Sequence, residues 1–494
     1  MQSTIVAECF RPVDKSAVLC AMQRSDDAQE WAEKTFGTAK LGDRRRTARL
    51  VSMATQLARR PAGTVSAVFE EDAERQGAYD FLESEHIGVA AIISAMSGAA
   101  AADCSKDGRV LVAVDGSSLT LADRQDEKDF GAIGDYAHGA RGIKVISALA
   151  LTEAGGVAVG LLWQEWWTRP KDKPKTSAKK KRARAVEDKE TQRWLDTIHG
   201  AAAELERYAS GTRAWFQIDR EGDSAPILLA LAATGHDFTV RGNHNRAVKE
   251  KLGTIRRKLA YSPLKGTYEL QVAQGPKRTA RTATMLVSAA KVTMKLTDPH
   301  TGKAVTLEVN AVLARESGTV PAGEERIDWL LLTNVPVDNV DDALVVIGGY
   351  TKRWRIEEFH RSWKSGACKV EESQLRSVEA VQRWATLAAA VAVRIDRLKR
   401  LSRTEPNLPA TVELTPVEIR VLIALKTRRR KKTEVIARTT PSIGDATRWI
   451  AELGGYTGKA SGGPPGTTVL RRGLERLHAA VDGFVAMQEM PSDA

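Results

Sequence analysis

The stretch Val110-Leu-Val-Ala-Val114-Asp115-Gly116-Ser117-Ser118 is a short apolar run that breaks on one acidic and three small residues. Five apolar residues, rich in β-branched valine and bounded by Asp, Gly and Ser, read as a buried strand with Asp115 at its end. Two more such runs follow, Val145–Leu151 and Gly156–Leu162, separated by the turn residues Glu153-Ala-Gly-Gly156. Beyond a basic segment the pattern predicts a helix over 188–209 and a strand Ala214–Ile218 that ends in Asp219. A helix over Ala225–Ala233 and a strand over Phe238–Val240 come next.

Three strands as a meander, then helix, strand, helix, strand, is the order of an RNase H-like α/β sheet. It places Asp115 at the end of the first strand and Asp219 at the end of the fourth. Alternation in Tyr268–Val272, Thr284–Val287, Ala304–Val312 and Trp329–Thr333 marks residues 250–337 as a β insertion, uninterrupted by helix and outside the first sheet. Residues 1–90 read as helical. Asp43 caps a helix whose Leu50, Met53, Ala54 and Leu57 recur at helical spacing, with Arg45, Arg46, Arg49 and Arg60 outward; Pro61 ends it, and a second helix covers Asp72–Leu82. On the other side a helix is predicted over 341–365, and a last one, capped by Thr467 or Thr468, carries Leu470, Leu474, Leu477, Val481 and Phe484 on one stripe suited to oligomer contact or docking. Three parts are expected: a helical domain 1–90, an RNase H-like domain 91–400 that includes the β insertion, and a helical domain 401–494.

With 494 residues, 43% hydrophobic and 28% charged, the chain is long enough for several domains and is neither disordered nor fibrous. Its net charge of +12 is spread over clusters at Arg44–Arg46, Arg59–Arg60, Lys171–Arg184, Arg256–Lys258 and Arg428–Lys432. That distribution suits a polyanion touching several parts of the chain, nucleic acid first, although solvated loops and helix faces carry the same charges. The longest apolar run, near Ala385–Val393, is far short of a membrane span, and Met1–Lys15 lacks the form of a secretory signal. Four scattered cysteines without a Cys-x-x-Cys pair fit a reduced, cytoplasmic protein.

The chemistry concentrates in Tyr350-Thr-Lys-Arg353-Trp-Arg-Ile356-Glu357-Glu-Phe359-His360-Arg361-Ser-Trp363-Lys364. On a regular helix Tyr350, Arg353, Glu357 and Lys364 fall within an arc of roughly 60°, with Arg361 beside them, while Ile356, Phe359 and Trp363 face the core. A carboxylate flanked by a phenol, a guanidinium and an ammonium can hold a metal ion while its neighbours grip phosphates. An exposed helix laced with ion pairs has the same pattern. Two aspartates at strand ends and a glutamate on a later helix form a set able to bind two Mg²⁺ ions about 3.5–4 Å apart, with Mn²⁺ an equally hard substitute.

The blocks Leu41–Leu50, Gln76–Tyr79, Gln164-Glu-Trp-Trp-Thr-Arg-Pro170, Asp219-Arg-Glu221, Trp329-Leu-Leu-Leu-Thr333 and Arg353–His360 with Trp363-Lys364 carry a resemblance over nearly the whole chain. It resembles the DDE transposases of the insertion-sequence-four family with the YREK motif, the transposon-five type of bacterial cut-and-paste enzyme. The resemblance implies Asp115, Asp219 and Glu357 as catalytic and metal-binding residues. It implies nicking at the element's end, attack of the freed 3′-hydroxyl on the opposite strand to form a hairpin, hairpin opening, and strand transfer. It further implies phosphate contacts from Tyr350, Arg353, Lys364 and Arg241, to which Arg361 beside the stripe is added as an expected contact, and a flipped base stacked on Trp329, which by periodicity alone is a core tryptophan. Arg45, Arg46, Arg49, Arg59 and Arg60 match the region that recognises transposon ends. The implied partners are double-stranded DNA, as inverted-repeat ends and target, and a second copy of the chain in a synaptic homodimer. Two other readings stay open: a DNA-binding inhibitor or regulator that performs no transposition, and an RNase H-like nuclease without strand transfer.

Overall fold

The computed structural model describes residues 27–489 except 124, 126, 173–188, 252, 276–277, 431–435, 437–438 and 460–461. The first 26 residues, most of the Lys171–Arg184 segment and the Lys431-Lys432 end of the last basic cluster therefore lie outside the described residues.

Ten strands form one sheet: β1 (Arg109–Thr120), β2 (Gly131–Ala132), β3 (Arg141–Thr152), β4 (Ala158–Trp167), β5 (Arg213–Ile218), β6 (Asp237–Arg241), β7 (Leu264–Val272), β8 (Arg281–Thr297), β9 (Ala304–Glu316) and β10 (Asp328–Thr333). β1 is antiparallel to β3, and β3 to β4, whereas β1, β5 and β6 are parallel. The order β4-β3-β1-β5-β6 is the RNase H-like core that the sequence predicts.

The β insertion departs from the prediction. It extends the first sheet, because β10 pairs with β6 on one side and β9 on the other, with β8 and β7 beyond. The cause is the edge that β6 would otherwise leave bare: Phe238 and Val240 are fully buried, and Leu330, Leu331 and Leu332 of β10 complete the layer beside them. Asn334 locks the join by accepting the Phe238 N–H at 2.7 Å. A short helix, Ile255–Ala260, also interrupts the insertion, where none is predicted.

The two faces of β1 alternate. Val110, Val112 and Val114 pack with Trp194, Leu195 and Ile198 of the helix Glu190–Tyr208 in one core cluster; Leu111 and Ala113 join the other. Asp115 continues the second series. On that side runs a 27-residue helix, Val378–Thr404, buried along most of its length. It ties the chain's parts together: Trp384 donates to the Gly63 carbonyl at 2.8 Å, Arg383 to the Ile87 carbonyl at 2.6 Å, and Arg397 pairs with Glu413 at 2.6 Å. The N-terminal helices, one sheet face and the C-terminal helices thus share one hydrophobic core.

In the N-terminal part Asp43 caps the helix Arg44–Arg59 as predicted, its Oδ1 accepting the Arg45 N–H at 2.8 Å. In the C-terminal part the last helix is Thr467–Glu489, with Thr467 already inside it. Its Leu470, Leu474 and Leu477 are buried in the chain's own core, and Val481 and Phe484 pack against that core. The apolar stripe, predicted as an oligomer or docking surface, is therefore docked on the chain's own core, with Leu470, Leu474 and Leu477 buried and Val481 and Phe484 partly buried.

The helix Val340–Lys352 crosses behind β5 with Gly349 against Trp215; a Cβ at Gly349 would stand 2.7 Å from the indole ring. Gly349→Ala is expected to push this helix off the sheet, costing about 1–3 kcal/mol and displacing the adjacent Tyr350. Chemical unfolding checks this, and wild-type stability would show that the helix shifts freely.

Candidate active site

Parallel pairing between β1 and β5 ends at Val114 opposite Ile218. Asp115 and Asp219 are the next residues along the two chain segments, Asp115 still within β1 and Asp219 just past the end of β5. Asp115 is not at a strand end as predicted, since β1 continues to Thr120 on its ladder with β3. What ends there is the β5 partner, and this opens one side of Asp115. Asp219 caps a 3-10 turn, its Oδ1 accepting the Glu221 N–H at 2.8 Å, so its carboxylate is fixed by the backbone that follows.

The predicted helix over 341–365 is three pieces. After Lys352 the chain tightens through i→i−3 bonds, Arg353 N–H to Tyr350 O at 3.0 Å and Glu357 N–H to Trp354 O at 3.1 Å, before the helix Arg355–Arg361. A π-helical turn, Ser362–Gly366, ends it. Ile356, Phe359 and Trp363 are buried as predicted; Trp363 stacks on Phe359 at 5.8 Å and donates to the Ala385 carbonyl at 2.9 Å. The polar stripe is not a solvated ion-pair face, because Tyr350 and Arg353 are both buried.

The tightened turn lodges Arg353 between the carboxylates. Its Nη1 lies 3.8 Å from Asp115 Oδ2 and its Nη2 3.4 Å from Glu357 Oε1, with the side chain only 9% exposed. Nη1 is buried without a hydrogen-bond partner. Burial pushes the Asp115 carboxyl well above the usual carboxylate range; Arg353 opposes this, and Glu357, Asp219 and Glu221 reinforce it. Burial alone would make the Arg353 guanidinium easier to deprotonate, but Asp115, Tyr350, Asp219 and Glu357 outweigh it and the net shift is upward. Asp115, Asp219 and Glu357 therefore share one field around one cation.

The remaining predicted residues divide. Tyr350 acts on Arg241, at the end of β6, whose pKa burial lowers while Tyr350 partly opposes that shift. Trp329 on β10 is 8% exposed and meets the Tyr350 ring edge-on at 6.0 Å, so in this conformation it is a buried tryptophan under Tyr350. Lys364 lies on the π turn, with its Nζ 3.4 Å from Glu371 Oε1. Arg361 is exposed. In the N-terminal helix Arg45 is nearly free in solvent beside Asp43, Arg46 donates to the Leu41 carbonyl at 3.1 Å, and Arg49 lies against Gly77. Arg59 and Arg60 instead reach the last helix, at Asp482 and Glu475, both at 3.5 Å.

Two residues near the carboxylates have no role in the sequence reading. Glu221 enters the field of Asp115 and Asp219. His360 is fully buried with Nδ1 3.9 Å from Asp115 Oδ2. Burial, with Lys364 and Arg353, pushes its pKa down to about 3, so the contact is between a neutral imidazole and the carboxyl and is not an ion pair. Both lie inside the blocks that carry the resemblance, but neither spacing nor polarity distinguishes them there.

Three carboxylates with no thiolate suit a hard divalent cation, and a second cation would relieve the burial cost on Asp115. As placed, no three acidic, histidine or cysteine side chains among the described residues stand close enough to hold one ion; Arg353 stands between Asp115 and Glu357.

The sheet order is RNase H-like, with Asp115 and Asp219 next to each other in sequence register where β1 and β5 cease to pair, and Glu357 carried by a later helix. Family models place the chain further: residues 106–394 match the transposase DDE domain, residues 28–87 transposase DNA-binding, and residues 390–490 the transposase Tn5 dimerisation domain. The chain belongs to the DDE transposases, and its parts are those of a DNA-binding, dimer-forming transposase. No helix among the described residues is long and apolar enough to cross a membrane.

Proposed function

We propose that the protein excises a DNA element at its terminal inverted repeats through nicking and a hairpin intermediate, and joins the freed 3′ ends to target DNA. Asp115, Asp219 and Glu357 are the catalytic carboxylates in this reading, and they would hold Mg²⁺, two ions per site, with Mn²⁺ able to substitute. A bound divalent ion supplies the positive charge that acidifies an attacking water or 3′-hydroxyl and offsets charge on the leaving oxygen. The observation that carries the proposal is the buried, unbonded Nη1 of Arg353 beside Asp115. Such a donor is costly to leave unpaired, and a non-bridging phosphate oxygen would satisfy it.

The same residues divide the work. Arg353 neutralises phosphate charge at the carboxylates, and Tyr350 with Arg241 holds the neighbouring phosphate. Lys364, on the π turn, and Arg361, at the end of the helix before it, approach the strand. Trp329 takes the base that leaves the stack when the hairpin bends, which requires the Tyr350 ring to move aside. The arginines of the N-terminal domain, Arg45, Arg46, Arg49, Arg59 and Arg60, bind the element's ends, and the C-terminal domain pairs two protomers on them.

The test incubates purified protein and Mg²⁺ with DNA carrying the element's inverted repeats. Nicks followed by hairpins, and then joined products with added target, are expected. Nicks without hairpins would favour a nuclease without strand transfer, and binding without nicks would favour a regulator.

A further inference from the structure

Glu371 lies seven residues beyond Lys364, on a short 3-10 turn, Val370–Glu372. Its Oε1 accepts the N–H of Thr120, the last residue of β1, at 2.8 Å and stands 3.4 Å from Lys364 Nζ. One carboxylate oxygen thus joins the strand that carries Asp115 to the ammonium of the polar stripe.

The backbone is bent to bring it there. Lys369, just before the turn, has φ 51°, the one non-glycine residue with positive φ among the described residues. That conformation is disfavoured for a side chain with a Cβ and persists only where its surroundings hold it. Here Lys369 Nζ pairs with Glu372 at 2.7 Å, and Gly63 of the N-terminal part packs on the Lys369 carbonyl too closely to admit any Cβ. The π turn Ser362–Gly366 carries the other partner, Lys364.

We propose that Glu371 is a positioning residue for the transposition reaction, orienting the Lys364 ammonium so that its free N–H donors meet a DNA phosphate at the carboxylate site. The inference rests on the reading of Lys364 as a phosphate ligand. An ammonium has three donors, so holding its charge against Glu371 leaves donors for phosphate, and their direction is set before DNA arrives. Both side chains are about a quarter exposed, at 26% and 23%. An ion pair this open adds little to stability, so its loss is expected in the chemistry and not in folding.

The experiment measures single-turnover nicking, end-DNA affinity and thermal unfolding for Glu371→Ala, Glu371→Gln, Lys364→Ala and the double variant Lys364→Ala/Glu371→Ala, all in the full chain. Glu371→Ala is expected to slow nicking by about 10- to 100-fold with affinity and unfolding unchanged. The double variant should be no slower than Lys364→Ala. Glu371→Gln keeps an acceptor for Thr120 but loses the charge, and it should behave like Glu371→Ala. If Lys364→Ala is slow but Glu371→Ala nicks normally, if the two losses multiply, or if Glu371→Gln is as fast as wild type, Glu371 does not act through Lys364. If Lys364→Ala itself nicks normally, the phosphate reading of Lys364 fails and takes the proposal with it.

Discussion

Asp115→Asn is expected to cut nicking of element-end DNA by about 10³-fold or more, and at the same time to make the divalent-free protein more resistant to heat at pH 7. The first effect follows from the site. Asn keeps the shape but not the charge, so in the proposed reading the set loses one of the carboxylates that would hold the divalent ion.

The second effect has the opposite sign from an ordinary active-site lesion. Burial, with Glu357, Asp219 and Glu221 nearby, raises the folded-state pKa of Asp115 above its unfolded value, despite Arg353. Between those two pKa values the unfolded chain gives up its proton first, so stability falls as pH rises through that window and the penalty stands in full above it. An amide carries no such penalty. The gain in unfolding temperature over wild type should shrink as pH is lowered toward the unfolded carboxylate pKa, and again when Mg²⁺ is added to wild type. A variant that unfolds at the wild-type temperature at every pH would mean that burial and the neighbouring carboxylates impose no penalty on the Asp115 charge.

The contrast between Asp115 and Arg353 shows what the sequence could reveal. The continuous apolar run Val110–Val114, bounded by Asp, Gly and Ser, is enough to find β1, and the helix–strand–helix order is enough to put β5 beside it, because buried strands are written in local hydrophobicity. Two carboxylates abreast followed from that pairing. The join of β10 to β6 was not legible, because alternation marks a strand and says nothing of its partner. Nor was the tightened turn at Arg353, since the i→i−3 bonds that rotate its guanidinium into the cluster leave no mark in a pattern that fits a straight helix equally well. The C-terminal stripe was read correctly as an apolar face, but its cover, the chain's own helices, is a long-range fact.

Arg353→Gln is expected to destabilise the divalent-free protein by about 3 kcal/mol, the lower end for removing one partner from a buried charge pair, and to slow nicking about 10²- to 10³-fold. The lower end applies because the contacts to Asp115 and Glu357 are loose, at 3.8 and 3.4 Å, and because Nη1 already lacks a partner. A third readout moves the other way. The guanidinium occupies the space between Asp115 and Glu357, so a neutral glutamine should let Mn²⁺ bind more tightly, as electron paramagnetic resonance of free Mn²⁺ would report. The double variant Asp115→Asn/Arg353→Gln separates the causes. If Arg353 stabilises the fold by balancing the buried carboxylate, removing that carboxylate as well should restore most of the lost stability while nicking stays absent. A double variant as unstable as Arg353→Gln alone would place the loss in packing around residue 353, and Arg353 would then be a structural residue that happens to lie beside Asp115.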